Sequence, residues 1–264
     1  MKKIIKYLKI NFKYFWVLSA IYTFLHLIIS YFRFSPVKLV SDLAWYFRDY
    51  QRYTSLKANN KFSHKDRHFY PCLTDKTDLT EIEPIYFYQN SWTAKKIFEL
   101  NPKKHVDIGS SATAMGLISQ YVPTTMVDIR PLSVTLTGLS FLKGTILKLP
   151  FKSNSIETIS SVCVVEHIGL GRYGDKLDQF GSEKAINELQ RVVKRGGHII
   201  ITVPVDANNH VHFNAHRTFT RDYIVSLFKS YNLVEEKYIY GMSMYDEYDP
   251  LLGFGTGLYL FKKK

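Results

Sequence analysis

The chain lacks the features that would take it out of the ordinary globular class. Two cysteines among 264 residues are too few for a disulfide framework, which suits a reducing compartment. No internal repeat, low-complexity tract or long flexible linker is present. Net positive charge is also small on the main domain, because residues 1–70 hold +10 of the net +12 and residues 71–264 only +2. A nucleic-acid groove would need its basic residues on the main domain, so this distribution argues against that class of partner.

The basic excess belongs to an unusual N-terminus. Four lysines recur at helical spacing, at Lys2, Lys6, Lys9 and Lys13, with apolar residues on the opposite side. This pattern is typical of a basic amphipathic helix lying on an anionic bilayer. Residues 14–32 carry no formal charge and just reach the length of a membrane span. Residues 1–35 are therefore predicted to associate with a membrane.

Three arrangements of this segment compete: a spanning or half-inserted anchor, a helix packed on its own domain or a partner, and a secretion signal. The apolar run is longer than that of a usual signal, and no small-residue cleavage site follows it. Because the lysines would keep the N-terminus cytoplasmic, one full crossing would export the rest of the chain away from any cytosolic cofactor. We favour a peripheral or monotopic anchor at the cytoplasmic face of the membrane, with a single span as the alternative. Residues 36–90 are predicted to form an extension or cap.

From residue 91 onward the pattern alternates between strands and helices. Ser91 is a plausible N-cap for a helix through Leu100. The pattern predicts strands near 104–108, before Asp128, and near 144–147, 156–165, 197–204, 232–240 and 256–262, with helices near 112–120, 182–194 and 220–229. This alternation predicts an α/β domain over residues 91–264, with a doubly wound, mostly parallel Rossmann-like sheet that binds its ligand at the carboxyl ends of the strands.

Two acids mark the most informative stretch. Asp107 ends a short β-branched run in HVDIGSSATAMG, which turns through small residues into a helix. Asp128 ends the next run, about twenty residues further on. Gly109 lets the backbone approach a ligand closely, and Asp128 can accept hydrogen bonds from both hydroxyls of a ribose. This layout predicts a site for a ligand that contains adenosine.

The segments HVDIGSS, MVDIRPL, LPFKSNSIETISSVCVVEHI and ELQRVVKRGGHIIITVPV resemble the successive motifs of class I S-adenosylmethionine-dependent methyltransferases over residues 91–262. More narrowly, VEHIGLGRYGD together with HFNAHR resembles the DUF268 family, back to about Trp45. The resemblance implies a methyltransferase fold and S-adenosylmethionine as the cofactor. It departs from the usual motif where Ser111 and Thr113 replace glycines, and where Gly144 and the residues after it replace an acid near the adenine.

With this resemblance, the predicted cofactor-binding residues fall into three groups. The turn after the first strand contributes Asp107, Gly109, Ser110 and Ser111. The end of the second strand contributes Asp128 and Ile129. Thr145, Ile146, Leu147 and Val165 complete the set, the first three through backbone groups near the adenine.

The catalytic residues are predicted to lie in the segment after the fourth strand. Glu166 and His167 should emerge near the sulfonium, where His167 is the first candidate for a general base of near-neutral pKa. His167 could equally bond only the backbone. His216 is a second candidate base. The predicted substrate-binding residues are Arg172, Tyr173, Asp175, His212, Asn214 and Arg217, although residues 169–174 could equally form a structural turn.

His212 and His216 are four residues apart, which on a helix would suit metal ligands. Because neighbouring asparagines indicate a loop, we predict no metal. The predicted function is O-methylation of a saccharide or lipid-linked glycan intermediate in cell-envelope polysaccharide biosynthesis. Alternatives are a cofactor-binding membrane scaffold or regulator without activity, and a nucleic-acid methyltransferase. The sequence leaves the oligomeric state open.

Overall fold

The computed structural model describes residues 36–57, 59, 61–62 and 70–264. They fall into two compact units, of which one ends at Glu81 and the other begins at Ile82. The predicted membrane segment, residues 1–35, lies outside the described residues. Within the described part of the chain, no helix combines the length and apolar character that a membrane crossing requires.

The first unit is built on helix α1 (Pro36–Ser55). Asp42 accepts from Trp45 Nε1 at 3.2 Å and from Lys38 Nζ at 3.0 Å along one side of this helix. Lys76 packs against the same helix, with its ammonium 4.4 Å from the centre of the Trp45 ring and 3.4 Å from an Asp49 carboxylate oxygen. A cation over an aromatic face stabilises the contact between α1 and the segment that follows it.

The second unit begins with helix α2 (Pro84–Leu100), which starts about two turns before the start predicted at Ser91. The Glu83 carboxylate accepts from the Tyr86 backbone N–H at 2.5 Å, and Pro84 occupies the first turn. Proline is favoured there because the N–H that it lacks would have no helical partner. The helix ends at Asn101, whose φ of 43° stops it as predicted.

Ten strands and three further helices follow. Their bounds are β1 (His105–Ile108), α3 (Ala112–Ile118), β2 (Thr124–Asp128), β3 (Leu139–Lys143), β4 (Ile156–Val162), α4 (Gly181–Val192), β5 (Val193–Val205), β6 (His210–His212), β7 (His216–Thr218), α5 (Arg221–Ser226), β8 (Tyr231–Tyr240), β9 (Ser243–Tyr245) and β10 (Gly255–Lys263). Short 3₁₀ turns cover Val165–His167 and Pro250–Leu252.

Eight of these strands form one mixed sheet, in the order β3-β2-β1-β4-β5-β10-β8-β9, and β6 pairs with β7 in a separate hairpin. Strands β1 to β5 are parallel, whereas β10 is antiparallel to both β5 and β8. The strand order reverses between β1 and β4. In such sheets a crevice opens at this reversal, outside the carboxyl ends of the strands.

Strand β5 carries the centre of the core. Its residues from Ile199 to Val205 are buried on both faces of the sheet, as expected for a parallel strand covered by helices. One face belongs to a cluster with Ala185, Ile186 and Leu189 of α4, and the other to a cluster with residues of α2 and α3. The helices thus hold the sheet rigidly beneath the crevice.

Besides the helix start, two strand predictions were wrong and three short strands were missed. The strand expected at 144–147 lies at Leu139–Lys143, and the predicted residues form a turn instead. Strand β4 ends at Val162 rather than 165, because the chain then enters a 3₁₀ turn. The hairpin β6–β7 and strand β9 were not predicted, since three-residue strands carry too short a pattern to detect.

Candidate functional site

The turn after β1 is fixed by the Asp107 carboxylate. Asp107 is fully buried and accepts from the Ser110 backbone N–H at 3.1 Å, the Ser110 hydroxyl at 2.6 Å and the Ser160 hydroxyl at 2.6 Å. Burial raises its pKa to about 6 despite these hydrogen bonds. Asp107 therefore shapes the turn and ties β1 to β4, as predicted for the turn, but it lines neither of the clefts described below.

His105 extends this buried network. Its Nε2 lies 2.8 Å from the Ser160 hydroxyl and its Nδ1 3.1 Å from the Thr158 hydroxyl. Burial lowers its pKa to about 3, so the ring is neutral. Since Ser160 donates to Asp107, it accepts from His105, and Thr158 donates to Nδ1. The hydrogen bonds therefore form one chain of donors, from Thr158 through His105 and Ser160 to the Asp107 carboxylate.

Because Gly109 has no side chain, a space remains between its backbone and Asp128, which we call the glycine cradle. The φ of Gly109 is +67°, and a Cβ at this position would stand 3.2 Å from a Val164 methyl and 3.8 Å from Asp128 Oδ2. The next residues need no glycine, because Ser111 has an ordinary φ of −60° and caps α3. The serine that replaces a glycine of the usual motif is therefore compatible with the turn.

Asp128 stands at the end of β2, across the cradle from Gly109. Its Oδ1 accepts from the Arg130 backbone N–H at 2.7 Å, while Oδ2 faces the glycine. A first cleft runs between these residues, and its other walls include Ile129 and the segment from Gly144 to Leu147. The structure thus brings Gly109, Asp128, Ile129, Thr145, Ile146 and Leu147 together as predicted.

The Thr145 turn forms the far wall of the first cleft. The Leu147 backbone N–H donates to the Thr145 hydroxyl at 3.3 Å, and the Lys148 N–H donates to the Thr145 carbonyl at 3.1 Å. Gly144 is required behind it, because a Cβ there would stand 2.9 Å from a Val127 methyl. These hydrogen bonds engage the Leu147 N–H and the Thr145 carbonyl inside the turn. The predicted contact of this segment with an adenine stays a prediction.

A second cleft adjoins the first. The two share Gly109, Cys163, His167 and Tyr173. The second cleft is also lined by Ser110 and Ser111, and its polar wall consists of Tyr86, Gln89, Glu166, Arg172, His216 and Thr256. Predicted residues from both the cofactor set and the substrate set therefore meet at one edge of the sheet.

Cys163 occupies the junction of the clefts. Its φ of +52° is unusual for a residue with a side chain, and it turns the chain from β4 into the 3₁₀ turn. The residue is half-buried and its thiol donates to Gln89 Oε1 at 3.0 Å. Burial raises the pKa of this thiol well above its ordinary value.

Glu166 and His167 emerge from this turn beside each other. His167 Nδ1 donates to the Ala215 carbonyl at 2.6 Å, because a carbonyl can only accept. Nε2 consequently keeps its lone pair, 3.6 Å from Glu166 Oε1. Burial lowers the pKa of His167 to about 4, instead of the near-neutral value expected for a base. Burial raises that of Glu166 to about 8.

Arg172 and Tyr173, which were predicted to bind the substrate, line the second cleft. The Arg172 guanidinium carbon lies 5.3 Å from the centre of the Tyr173 ring, and that of Arg130 lies 4.6 Å from it. His216 lines the same cleft, 5.6 Å from the Phe254 ring between centroids, and burial lowers its pKa. A basic and aromatic wall thus faces the 3₁₀ turn.

Five predicted site residues have other positions. Asp175 accepts from the backbone N–H groups of Gly169 and Tyr173, so its carboxylate closes a turn beside the first cleft. Arg217 is buried and donates to the carbonyls of Ile168 and Asp178 and to the Ser182 hydroxyl. The other three line neither cleft: Val165 in the core, His212 across the hairpin from His216, and Asn214 at φ +63° in its turn.

Several residues that line the clefts were not predicted, among them Tyr86, Gln89 and Thr256. The first two lie on α2, and no local pattern connects a helix before β1 with a cleft beyond β4. An uncharged polar residue in a buried stripe of α2 is the one signal available for Gln89. Within the described residues, no cluster of three or more His, Cys, Asp or Glu side chains is placed to hold a metal ion.

The sheet order, the glycine cradle and the acid at the end of β2 define the class I methyltransferase fold. A solved structure of a candidate sarcosine dimethylglycine methyltransferase from Galdieria sulphuraria superposes with a TM-score of 0.51 and 16% identity, over 70% of this chain and 92% of the other. The N-methyltransferase NodS from Bradyrhizobium japonicum WM9, in complex with S-adenosyl-L-homocysteine, gives 0.48 and 12%, over 66% and 87%. At these identities the likeness concerns the fold alone.

The model of a family described as "Caenorhabditis protein of unknown function, DUF268" matches residues 149–242. This range contains the 3₁₀ turn, the loop after it and the hairpin β6–β7, which together supply one side of the second cleft. Among curated proteins, none matches the chain by sequence.

Proposed function

We propose that this chain is an S-adenosylmethionine-dependent methyltransferase that methylates a hydroxyl of a saccharide or lipid-linked glycan intermediate. Its acceptor would belong to cell-envelope polysaccharide biosynthesis. The observation that carries the proposal is the junction of the clefts: a cradle between Gly109 and Asp128 opens, past Cys163 and His167, into a polar cleft. A methyltransferase needs this arrangement of two ligand sites that meet at one point.

The first cleft suits an adenosine-containing cofactor. Asp128 would accept from the ribose hydroxyls, Ile129 would contact the base, and Gly109 would let the chain pass close to the backbone. Ser110 and Ser111 stand where the amino acid end would enter the second cleft. When bound, S-adenosylmethionine would supply an electrophilic methyl group on a sulfonium.

The second cleft suits an oxygen-rich acceptor. Arg172, Tyr173 and His216 can donate hydrogen bonds to hydroxyl or anionic oxygens. His167 lies at the junction and Glu166 beside it in the second cleft, where one of them would take the hydroxyl proton. The proposed place of action is the cytoplasmic face of the membrane, which residues 1–35 would contact through their basic and apolar faces.

Methyl transfer is tested with the purified full-length chain, methyl-labelled S-adenosylmethionine and fractionated envelope extract of the source organism. We expect label in the polysaccharide or lipid-linked glycan fraction. A Gly109→Val variant, which fills the cradle, is the matched control and should incorporate none. Label confined to nucleic acid, to protein or to no fraction would contradict the proposal.

Membrane association is tested separately by flotation of the full-length chain with liposomes. We expect it to float with vesicles that contain anionic lipid, and less so as salt screens the lysines. Protein that stays soluble without detergent and ignores both anionic and neutral vesicles would contradict this part of the proposal without touching methyl transfer.

A further inference from the structure

We propose that Gln89 of α2 and Glu166 of the 3₁₀ turn together form the subsite for the acceptor hydroxyl, with Gln89 donating to its oxygen and Glu166 taking its proton. This inference rests on the proposed function. It adds a positioning residue from a helix that precedes the first strand, and it assigns the proton to one residue of the Glu166–His167 pair.

Gln89 is held with its donor end unused. The amide is fully buried, and its Oε1 accepts from the Cys163 thiol at 3.0 Å and from the Thr202 hydroxyl at 3.0 Å. Thr202 in turn accepts from the Cys163 backbone N–H at 3.0 Å, so its own hydrogen is free to point at Gln89. This is the amide orientation in which Oε1 accepts both hydrogens. Among the described residues, its Nε2 has no hydrogen-bond partner.

Glu166, which lines the same cleft, also has a polar atom without a partner. Its side chain is 2% exposed, and Oε2 has no hydrogen-bond partner within the described part of the chain. Both residues line the second cleft. A buried polar group without a partner costs stability, and two in one cleft, from elements 77 positions apart in the sequence, indicate a site that a ligand completes.

One hydroxyl can satisfy both groups. Its oxygen accepts from Gln89 Nε2–H, and its hydrogen bonds to an ionised Glu166. An ammonium has no lone pair to offer Gln89, and a carboxylate has no hydrogen to offer Glu166. Arg172 adds a positive charge to the same cleft, which further disfavours an amine cation.

Glu166 is also the better proton acceptor. Its pKa, raised by burial to about 8, lies closer to the working pH than the value of about 4 that burial gives His167. In the transfer step the acceptor oxygen bonds to the methyl carbon as the carbon–sulfur bond of the sulfonium breaks, and that electron pair remains on sulfur. The hydroxyl proton goes to Glu166 and is later released to solvent.

The test uses variants that change one function each. Gln89→Glu keeps an oxygen for Cys163 and Thr202 but removes the donor, and Glu166→Gln removes the base while keeping the shape. Thr93→Val is the matched control, because Thr93 lies on the same helix, is buried with an unpaired hydroxyl among the described residues, and lines neither cleft. Gln89→Met serves as a second variant if Gln89→Glu does not fold.

Three readouts follow for each variant. Methyl transfer is expected to fall about 100-fold in Glu166→Gln and about tenfold in Gln89→Glu, with Thr93→Val unchanged. The rise of the rate between pH 6 and 8 should disappear in Glu166→Gln alone. S-adenosylhomocysteine affinity, measured by calorimetry, should stay within about twofold in all of them, since the cofactor cleft is untouched.

The chemical class of the wild-type product decides the acceptor. We expect the label in a methyl ether that survives mild alkali. An alkali-labile methyl ester, a label on nitrogen, or full activity in folded Gln89 variants would overturn this inference while leaving methyl transfer intact. Cofactor binding with no labelled product from any fraction would instead remove the proposed function, and the acceptor subsite with it.

Discussion

The two clefts differ in how far their polar groups are already satisfied. Around the first cleft, Thr145 and Asp175 make hydrogen bonds inside the turns that carry them, and Asp107 bonds to its own turn and to Ser160 of β4. In the second cleft, Gln89 and Glu166 each keep a buried atom without a partner in the described part of the chain. The polar groups around the first cleft are therefore already paired within the protein, whereas those of the second cleft need a ligand as their partner.

The difference follows from where the residues come from. Consecutive turns after β1, β2 and β3 build most of the first cleft, so local hydrogen bonds can shape it. The second cleft gathers α2, the 3₁₀ turn, β7 and β10 from across the chain. Its geometry depends on tertiary packing, and it can differ between chains that share a fold.

Arg217 provides the largest test of this comparison, because it braces one wall without entering either cleft. Arg217→Ala would remove a donor from the half-buried Ile168 carbonyl and would leave the Asp178 carbonyl with the Gly181 backbone N–H. We expect a loss of about 3 kcal/mol in the free energy of unfolding. Arg172→Ala, which removes a cation from the cleft itself, should cost less than about 0.5 kcal/mol. Urea denaturation of both variants gives the comparison, and equal losses would contradict the bracing role.

A substitution at Gly109 tests whether the cofactor occupies the first cleft close to the backbone. Gly109→Ala places a Cβ in the cradle, and we expect cofactor affinity to fall roughly 30-fold, about 2 kcal/mol. Gly196→Ala is the control, because Gly196 has a similar φ of +72° but nothing within 4 Å of the added carbon. Both variants should lose stability to backbone strain, about 1 kcal/mol each. Calorimetry that finds equal affinity in the two would show that no ligand uses the cradle.

The pH dependence of stability tests the second cleft. Burial raises the pKa of Glu166 from 4.5 to about 8, so the folded state holds a proton that the unfolded state has released. Its contribution is therefore present below pH 4.5 and is lost as the pH rises through 8, by up to about 1.4 kcal/mol per pH unit. Glu166→Gln should remove this slope between pH 6.5 and 8, where the low-pKa histidines no longer titrate in the folded state. Parallel curves for the two proteins would contradict the assignment.

The parts predicted from sequence are those with local causes. Asp107 and Asp128 end strands whose apolar runs are visible in the chain, and Gly109 is required by a turn that its neighbours define. The order of elements then places them at one edge of the sheet. The helix start was misplaced because Glu83 and Pro84, an effective cap and first turn, precede an aromatic run without clear helical periodicity.

The errors have tertiary causes. Arg217 resembles a substrate ligand in HFNAHR, but its role is set by carbonyls 38 to 49 residues away. His167 was expected to have a near-neutral pKa, but its burial, and to a smaller extent Arg172 and His216 from elsewhere in the fold, lower that pKa. Gln89 gains its place from Cys163 and Thr202, which lie 74 and 113 residues further on.

The most direct test of a nucleoside-binding site at the ends of β1 and β2 is calorimetric titration of S-adenosylmethionine into the wild-type chain and Asp128→Ala. We expect saturable one-to-one binding to the wild type, weakened about 10- to 100-fold in the variant as its ribose hydrogen bonds are lost. No binding to a folded wild type, or equal affinity in the two proteins, would contradict the account.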